Sequence, residues 1–463
     1  MNATPSGAFD LARAIAAVVR DAGGRALVVG GWVRDRLMAL PEPAASNVDL
    51  EVFGISGDRL RALLDTFGRV EAVGESFQVY KLGDIDVSLP RRDSKAGRGH
   101  KGFVVTGDPD MSIEEAARRR DFTVNSIAQD PLTGECFVPF GGRADLERRL
   151  LRMVDAATFA DDSLRVLRAI QFAARFEFAL DDATATLCRT IPLDDLPSER
   201  VWGEIEKLLL QPRRPSIGFA LAMDLGAIEK LFPELYALAA CPQEPEWHPE
   251  GNVWVHTLQV VDRARTRIDD LERPQQIAVM LGAVAHDLGK PATTAFVDGR
   301  IRSIDHEDQG VAPATALLDR LNVHTIDGYD VRKQVLGVTA QHLKPGSWFK
   351  VRDEVGDGAF RRLAHKVDLE LLARVAKSDC EGREPGAFDC SAMDWFLDRA
   401  RSLGVEHRPP QPILLGRHLL ELGMTPGPRV GEILKQVYEQ QLDNQVRTLD
   451  DAIASARRIL GSG

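Results

Sequence analysis

Two acidic residues, Asp49 and Glu51 in VDLEVF, sit two positions apart, so a strand would put both carboxylates on one face, where they can hold a divalent cation between them. They follow a glycine pair, Gly30 and Gly31, and an Arg34-Asp35 pair in VVGGWVRDRL, a strand–turn–helix pattern that lets a phosphate approach the backbone. RRRDFTVN then sets three arginines near Asp121 and Asn125, and DDSLRVLRAI carries Asp162, Arg165 and Arg168 along one helical face. An acid beside an arginine offers acceptors and donors together, which is what reading the Watson–Crick edge of a base requires. Taken singly, these are a turn, a solvated strand edge and surface ion pairs. Together they describe a site for a nucleotide and magnesium.

A second set lies further along: His256 in HTLQVVDRA, His286 and Asp287 in VAHDLGK, His306 in DHEDQG, His342 in TAQHLKP and Asp379 in AKSDCEG. One histidine on an apolar helix is ordinarily a core residue. Six such groups, with adjacent His-Asp, an earlier His and a distant Asp, can converge on a metal from several helices.

The elements that must position these groups follow from periodicity. Residues 25 to 142 read as a small mixed α/β domain, with RALVVGG and NVDLEVFG as strands and FQVYKLGDIDVSLP as two short ones. From about Asp145 the pattern becomes helix after helix. The Pro-rich, acidic stretch CPQEPEWHPEGN, 241 to 252, is the best linker candidate. The expected domains are therefore 1–142, 143–240, 241–400 and 401–463. At 463 residues several domains are expected, and the net charge of −11 argues against nonspecific coating of nucleic acid. RNA contact would come from local patches such as RRDSKAGRGHKG, 91 to 102, read as a basic loop that grips the RNA backbone. The five cysteines are odd in number and lack a CxxC pair, so neither a disulfide framework nor a thiolate zinc site is indicated. A reducing cytoplasm fits, and with no run of about 18 apolar residues no membrane partner is expected.

GGxVRD, the acidic strand, RRDFTxNxxA, PFGGRADLERRLLR and DDxxR, in this order, resemble the bacterial class II tRNA nucleotidyltransferases, the CCA-adding enzymes, whose relatives include bacterial poly(A) polymerases. SERVWGEIEKLL, WHPEGNVWVHT and the tail LLGRHLLELGMTPGPRVGEILKQVYEQQL continue the likeness over nearly the whole chain. The resemblance implies an α+β fold: a polymerase-β-type head, then all-α neck, body and tail. It implies tRNA, CTP and ATP as partners, with protein side chains selecting the nucleotide, and leaves a homo-oligomer open. Gly30, Gly31, Arg34 and Asp35 match its triphosphate-binding turn, Arg120, Asp121 and Asn125 the ribose-sensing motif, and Asp162, Arg165 and Arg168 the base-selecting helix. Most relatives carry D-x-D, and aligning the trailing glycine puts Asn47 at the first aspartate. Asp49 is a magnesium ligand under either alignment, with Glu51 taking up the lost charge and Asp86 as third carboxylate. Gln171 stands where many relatives have another arginine. The histidine series resembles the HD phosphohydrolases, with His306 and His342 matching extra histidines of two-metal members; Ni2+, Co2+ or Mn2+ is the implied ion. The alternatives are an A-adding enzyme or poly(A) polymerase, and a catalytically weakened RNA-binding protein.

Overall fold

Apolar residues at successive positions make RALVV a strand buried on both faces, and it becomes an interior strand of a sheet. In chain order the strands are β1 (Arg25–Val29), β2 (Val48–Phe53), β3 (Glu71–Val73), β4 (Val79–Leu82), β5 (Ile85–Ser88), β6 (Arg91–Lys95), β7 (Phe103–Gly107), β8 (Ala128–Gln129) and β9 (Cys136–Phe137). Seven of them form one mixed sheet in the order β3-β4-β5-β2-β1-β8-β9. Val48, Leu50 and Val52 of β2 pack with Ile15 and Val19 from the helix Ala8–Asp21 and with Leu60 and Leu64 from Gly57–Leu64. Leu27, Val29 and Phe53 meet Met111 and Ala116 in a second, smaller cluster. Alternation along β2 therefore turns Asp49 and Glu51 away from the main core.

This computed structural model describes residues 7–40, 47–73, 79–95, 103–383 and 388–461. It divides into two units, the chain up to Leu208 with Ile217–Leu231, and Leu209–Ser216 with Phe232 onward. In the first, the sheet is followed by helices, among them Leu164–Phe176 and Ser198–Leu210, with Phe122 fully buried edge-on to Phe159 and Phe172. In the second, the helices Val253–Arg265, Arg273–Ala285, Val331–Gln341 and Leu369–Glu381 pack on one another. The tail helices Gly416–Glu421, Pro428–Leu442 and Leu449–Gly461 gather around Leu419, Ile433 and Val437. Among the described residues no helix is long and apolar enough to cross a membrane.

Four local expectations are corrected. The basic stretch expected as a loop begins as a strand, because β-branched residues of FVVTG give Arg91–Lys95 an antiparallel partner; residues 96–102 lie outside the described residues. The stretch 241–252, expected to separate a helical body from the histidine-rich block, lies wholly within the second unit, which runs on from Phe232, and four of its residues line a cavity there. That unit is not purely helical: Thr294–Val297 and Arg300–Ser303 form a hairpin closed by Asp298-Gly299, both with positive φ. Finally, Cys380 and Cys390 are joined in a disulfide, the chain after Leu369–Glu381 returning to within 5.9 Å between Cα atoms; Cys136, Cys188 and Cys241 are free thiols.

Candidate functional site

β2 and β5 run parallel with Asp49 opposite Asp86, and Glu51 shares the face of Asp49. The three carboxylates line one cavity of about 450 Å³ together with Arg91, Arg119, Arg120, Arg165, Arg168 and Arg200. Asp49 opens to this cavity, yet enough protein surrounds it that desolvation raises its pKa; Arg120 pulls the other way, and Asp86 and Glu51 add to the rise. An all-oxygen donor set whose members repel one another fits a hard cation such as Mg2+. Arg120 reaches Glu51 at 3.8 Å and Lys81 reaches Asp86 at 3.6 Å. Asn47 is exposed, immediately ahead of β2.

Gly30 holds a φ of +76°, and a Cβ there would lie 3.0 Å from an Arg120 guanidinium nitrogen and 3.6 Å from an Asp49 oxygen. A side chain would intrude between cation and acid. Arg34 turns inward: it donates to Asn125 Oδ1 at 2.6 Å and Asp35 Oδ1 at 2.7 Å, with its guanidinium 4.4 Å from the Phe176 ring centre. Asn125 donates to Asp121, which accepts from Arg168 at 2.7 Å. Burial opposes the Asp121 charge, but Arg168 and Asn125 outweigh it and hold the pKa below the usual range. Arg34, Asp35 and Asn125 thus form a buried network that fixes Asp121 and Arg168, and only those last two line the cavity.

At the start of Leu164–Phe176, Asp162 accepts both guanidinium nitrogens of Arg200, at 3.1 and 2.9 Å. Arg165 donates to the carbonyls of Thr158 and Arg119 at 2.7 and 2.6 Å. Arg119 is lowered to about 10 by burial and by the neighbouring Arg91 and Arg165, a crowding of cations that an incoming polyanion would relieve. Sequence reasoning places Arg91 in the RNA-gripping stretch 91 to 102 and Arg119 among the three arginines of RRRDFTVN, and it misses Arg200. Arg200 was visible only as the arginine of SERVWGEIEKLL, one turn from Glu204 on the same helix.

The second unit assembles the other series. His256 Nε2 lies 3.0 Å from Asp379 and 3.8 Å from Asp287; His286, His306 and His342 approach Asp287 at 3.2, 3.3 and 3.9 Å. The Nδ1 atoms of His286, His306 and His342 lie 2.8 to 2.9 Å from backbone carbonyls, which directs each Nε2 toward the acids. A side chain at Gly289 would collide with the His306 carbonyl, so the glycine of HDLGK admits the His306 segment. His286 Nε2 is buried and faces Asp287 Oδ2 at 3.2 Å without a well-directed hydrogen bond. Burial and the neighbouring His286 hold His342 down at about 3, a neutral imidazole. Buried imidazole nitrogens and carboxylate oxygens gathered this closely, one pair of them poorly aligned for a hydrogen bond, fit a transition-metal ion.

Three further residues here were not anticipated. Lys290 contacts Asp287 at 2.7 Å, while the buried Glu250 carboxylate bridges His248 Nδ1 at 2.8 Å and His256 Nδ1 at 2.7 Å. Burial disfavours the Glu250 charge, but the bonds from His248 and His256 prevail and bring its pKa to about 2. The His-x-Glu of WHPEGN, just ahead of the helix Val253–Arg265, was the available signal.

An acid-bearing mixed sheet followed by helices that send arginines into the same cavity defines a nucleotidyltransferase of the polymerase-β type. Residues 26–152 match the poly(A) polymerase head domain, and 177–238 match a probable RNA and SrmB-binding site of polymerase A. The multifunctional CCA protein of Xanthomonas campestris pv. campestris strain B100 is 35% identical over 429 residues, 88% of this chain and 95% of the relative. That of Stenotrophomonas maltophilia K279a is 35% identical over 437 residues, 91% and 93% of the two chains. In structure, the CTP-bound CCA-adding enzyme of Bacillus stearothermophilus aligns with a TM-score of 0.64 at 21% identity, covering 99% of this chain and 98% of the other. The Thermotoga maritima CCA-adding enzyme complexed with tRNA gives 0.60 at 19%, covering 97% and 95%. The chain belongs to the multifunctional CCA protein family of CCA-adding enzymes.

Proposed function

We propose that this chain adds or repairs the 3′-terminal CCA of tRNA from CTP and ATP, and that its second unit hydrolyses a phosphoester at an RNA end. The observation that carries the first part is one cavity walled by Asp49, Glu51 and Asp86 and by six arginines. The three carboxylates would hold Mg2+, which when bound supplies charge neutralisation and a lowered pKa for the attacking hydroxyl. The tRNA 3′-oxygen attacks the α-phosphate of the nucleotide, a new P–O bond forms, and pyrophosphate departs. Arg119, Arg120 and Arg91 stand where they can neutralise the triphosphate. Asp162 and Arg165 supply an acceptor and donors for the base edge. Incubating purified protein with tRNA lacking its end, with each nucleotide alone and then together, tests this reading. CTP-dependent followed by ATP-dependent extension is expected; addition of A alone would favour an A-adding or poly(A) enzyme, and no addition a weakened RNA-binding protein.

For the second unit, His256, His286, Asp287 and Asp379 would hold one ion, with His306 and His342 beside them. Such an ion polarises a phosphoryl oxygen. A 2′,3′-cyclic phosphate or a terminal phosphate is the expected substrate, because a polymerase that extends a 3′-hydroxyl cannot use a blocked end. Full-length protein should hydrolyse one of these esters with Ni2+, Co2+ or Mn2+. Asp287→Ala should lose that hydrolysis while Asp49→Asn retains it, and retention in Asp287→Ala would refute the assignment.

A further inference from the structure

The cavity of about 410 Å³ in the second unit has a floor and a rim of different chemistry. Its floor carries Asp287, His306, His342 and Asp379, the groups to which the phosphohydrolase reading assigns the phosphate. A simple phosphomonoester would need nothing more. The rim, however, carries the indole of Trp247, 43% exposed, and the side chains of Arg302 and Ile304, the latter 57% exposed. Trp247 and Ile304 together leave apolar surface in water at the mouth of this cavity, surface that a base could cover.

The rim is a built feature. Trp247 belongs to the stretch 241–252, and Arg302 to the hairpin Thr294–Ser303, two segments tied together by the Ile301 N–H donating to Glu244 at 2.9 Å. Arg300 of the same hairpin places its guanidinium 5.3 Å from the Trp247 ring centre and is itself held by Glu246 at 2.9 Å. The ion pair and the cation–π contact restrict the indole before any ligand arrives, which lowers the entropy lost on stacking. Aromatic faces flanked by arginine are how proteins hold unstacked bases of single strands, the base on the ring and the backbone phosphate on the cation.

We propose that Trp247 and Arg302 form a nucleoside-binding rim for the phosphohydrolase cavity, Trp247 stacking the base of the terminal nucleotide and Arg302 meeting the phosphate on its 5′ side. The inference rests on the phosphohydrolase reading and narrows its substrate to nucleotides at an RNA 3′ end. Trp247 and Arg302 are specificity residues; the metal-binding floor performs the hydrolysis.

The test uses full-length protein with two cyclic phosphodiesters, one attached to a nucleoside and one base-free: a nucleoside 2′,3′-cyclic phosphate and glycerol 1,2-cyclic phosphate. Wild type should prefer the nucleotide, and Trp247→Ala should reduce that preference in kcat/KM by roughly 5- to 150-fold, the range that loss of one base–aromatic stack gives. Trp247→Phe should restore most of it. Arg302→Gln should reduce the preference for a dinucleotide ending in a 2′,3′-cyclic phosphate more than for the mononucleotide. A second readout is independent of turnover: titrating a nucleoside 3′-monophosphate should quench tryptophan emission in wild type and not in Trp247→Phe. An unchanged preference in Trp247→Ala overturns the proposal. If wild type hydrolyses neither ester, the phosphohydrolase reading fails, and the quench alone then decides: its presence in wild type and loss in Trp247→Phe sustains the rim, and its absence removes it.

Discussion

Asp162 is the residue at which base selection can be tested most sharply. Its carboxylate accepts two bonds from Arg200 and one from the Leu164 N–H at 3.2 Å, which leaves lone pairs for an incoming base. Burial opposes the Asp162 charge, but the Arg200 bonds prevail and hold its pKa below the usual range, so near neutral pH it is an acceptor only. Cytosine and adenine both present an exocyclic amino donor where uracil and guanine present a carbonyl. An acceptor here favours the first pair. Asp162→Asn keeps the shape and can turn a donor toward the base, so the discrimination of CTP over UTP should fall by about 1–3 kcal/mol, roughly 5- to 150-fold. The cost in stability should be only about 1 kcal/mol, because both partners of the ion pair are partly solvated, with side-chain exposures of 31% and 23%. The assay is kcat/KM for each of the four nucleotides on tRNA lacking its end, beside a denaturant melt. Unchanged CTP-to-UTP and ATP-to-GTP ratios in a folded Asp162→Asn protein would refute the assignment and place selection on another residue.

Asp49→Asn should abolish nucleotide addition while tRNA affinity, measured by filter binding, stays near wild type; substantial turnover would remove Asp49 from the metal set. Glu51→Gln should slow addition strongly if Glu51 carries the second charge, whereas a harmless Glu51→Gln with an accelerated Asn47→Asp would mark the D-x-D arrangement as the working one. Phe122→Ala, which removes a fully buried ring packed at 5.6 Å and 5.9 Å from Phe159 and Phe172, should cost about 3–5 kcal/mol in a urea titration.

What could be read in the sequence was whatever depends on local period. Alternation along 48–53 suffices to put Asp49 and Glu51 on one face, and the change at Asp145 from alternation to three- and four-residue spacing marks where the sheet ends. Arg200 was illegible because it belongs to a helix almost 40 residues beyond Asp162, and only packing brings the two together. The inward turn of Arg34 was equally hidden, since its partners Asn125 and Phe176 lie far along the chain. The stretch 241–252 misled for a different reason: its prolines and acids carry no period, and a lack of period describes a linker and a cavity wall alike. The Asp298-Gly299 hairpin, by contrast, was announced by its turn residues, and a reading tuned to helices passed over it.

The two cavities also differ in how they would treat the same substrate atoms. In the first, carboxylates face a wall of arginines, so positive charge is distributed over several separate side chains and suits a long triphosphate. In the second, buried imidazoles are fixed by carbonyls and by Glu250, and Lys290 is the one lysine of the cavity wall, bound to Asp287 and to Gln243 at 2.7 Å. That arrangement suits a single phosphate held against a metal. A chain that carried only the second chemistry would have no need of Asp162 and its arginine partner, and one that carried only the first would have no need to bury four imidazoles around two acids. The cost of desolvating that many polar groups is a physical argument for the proposal that the second cavity holds a metal ion.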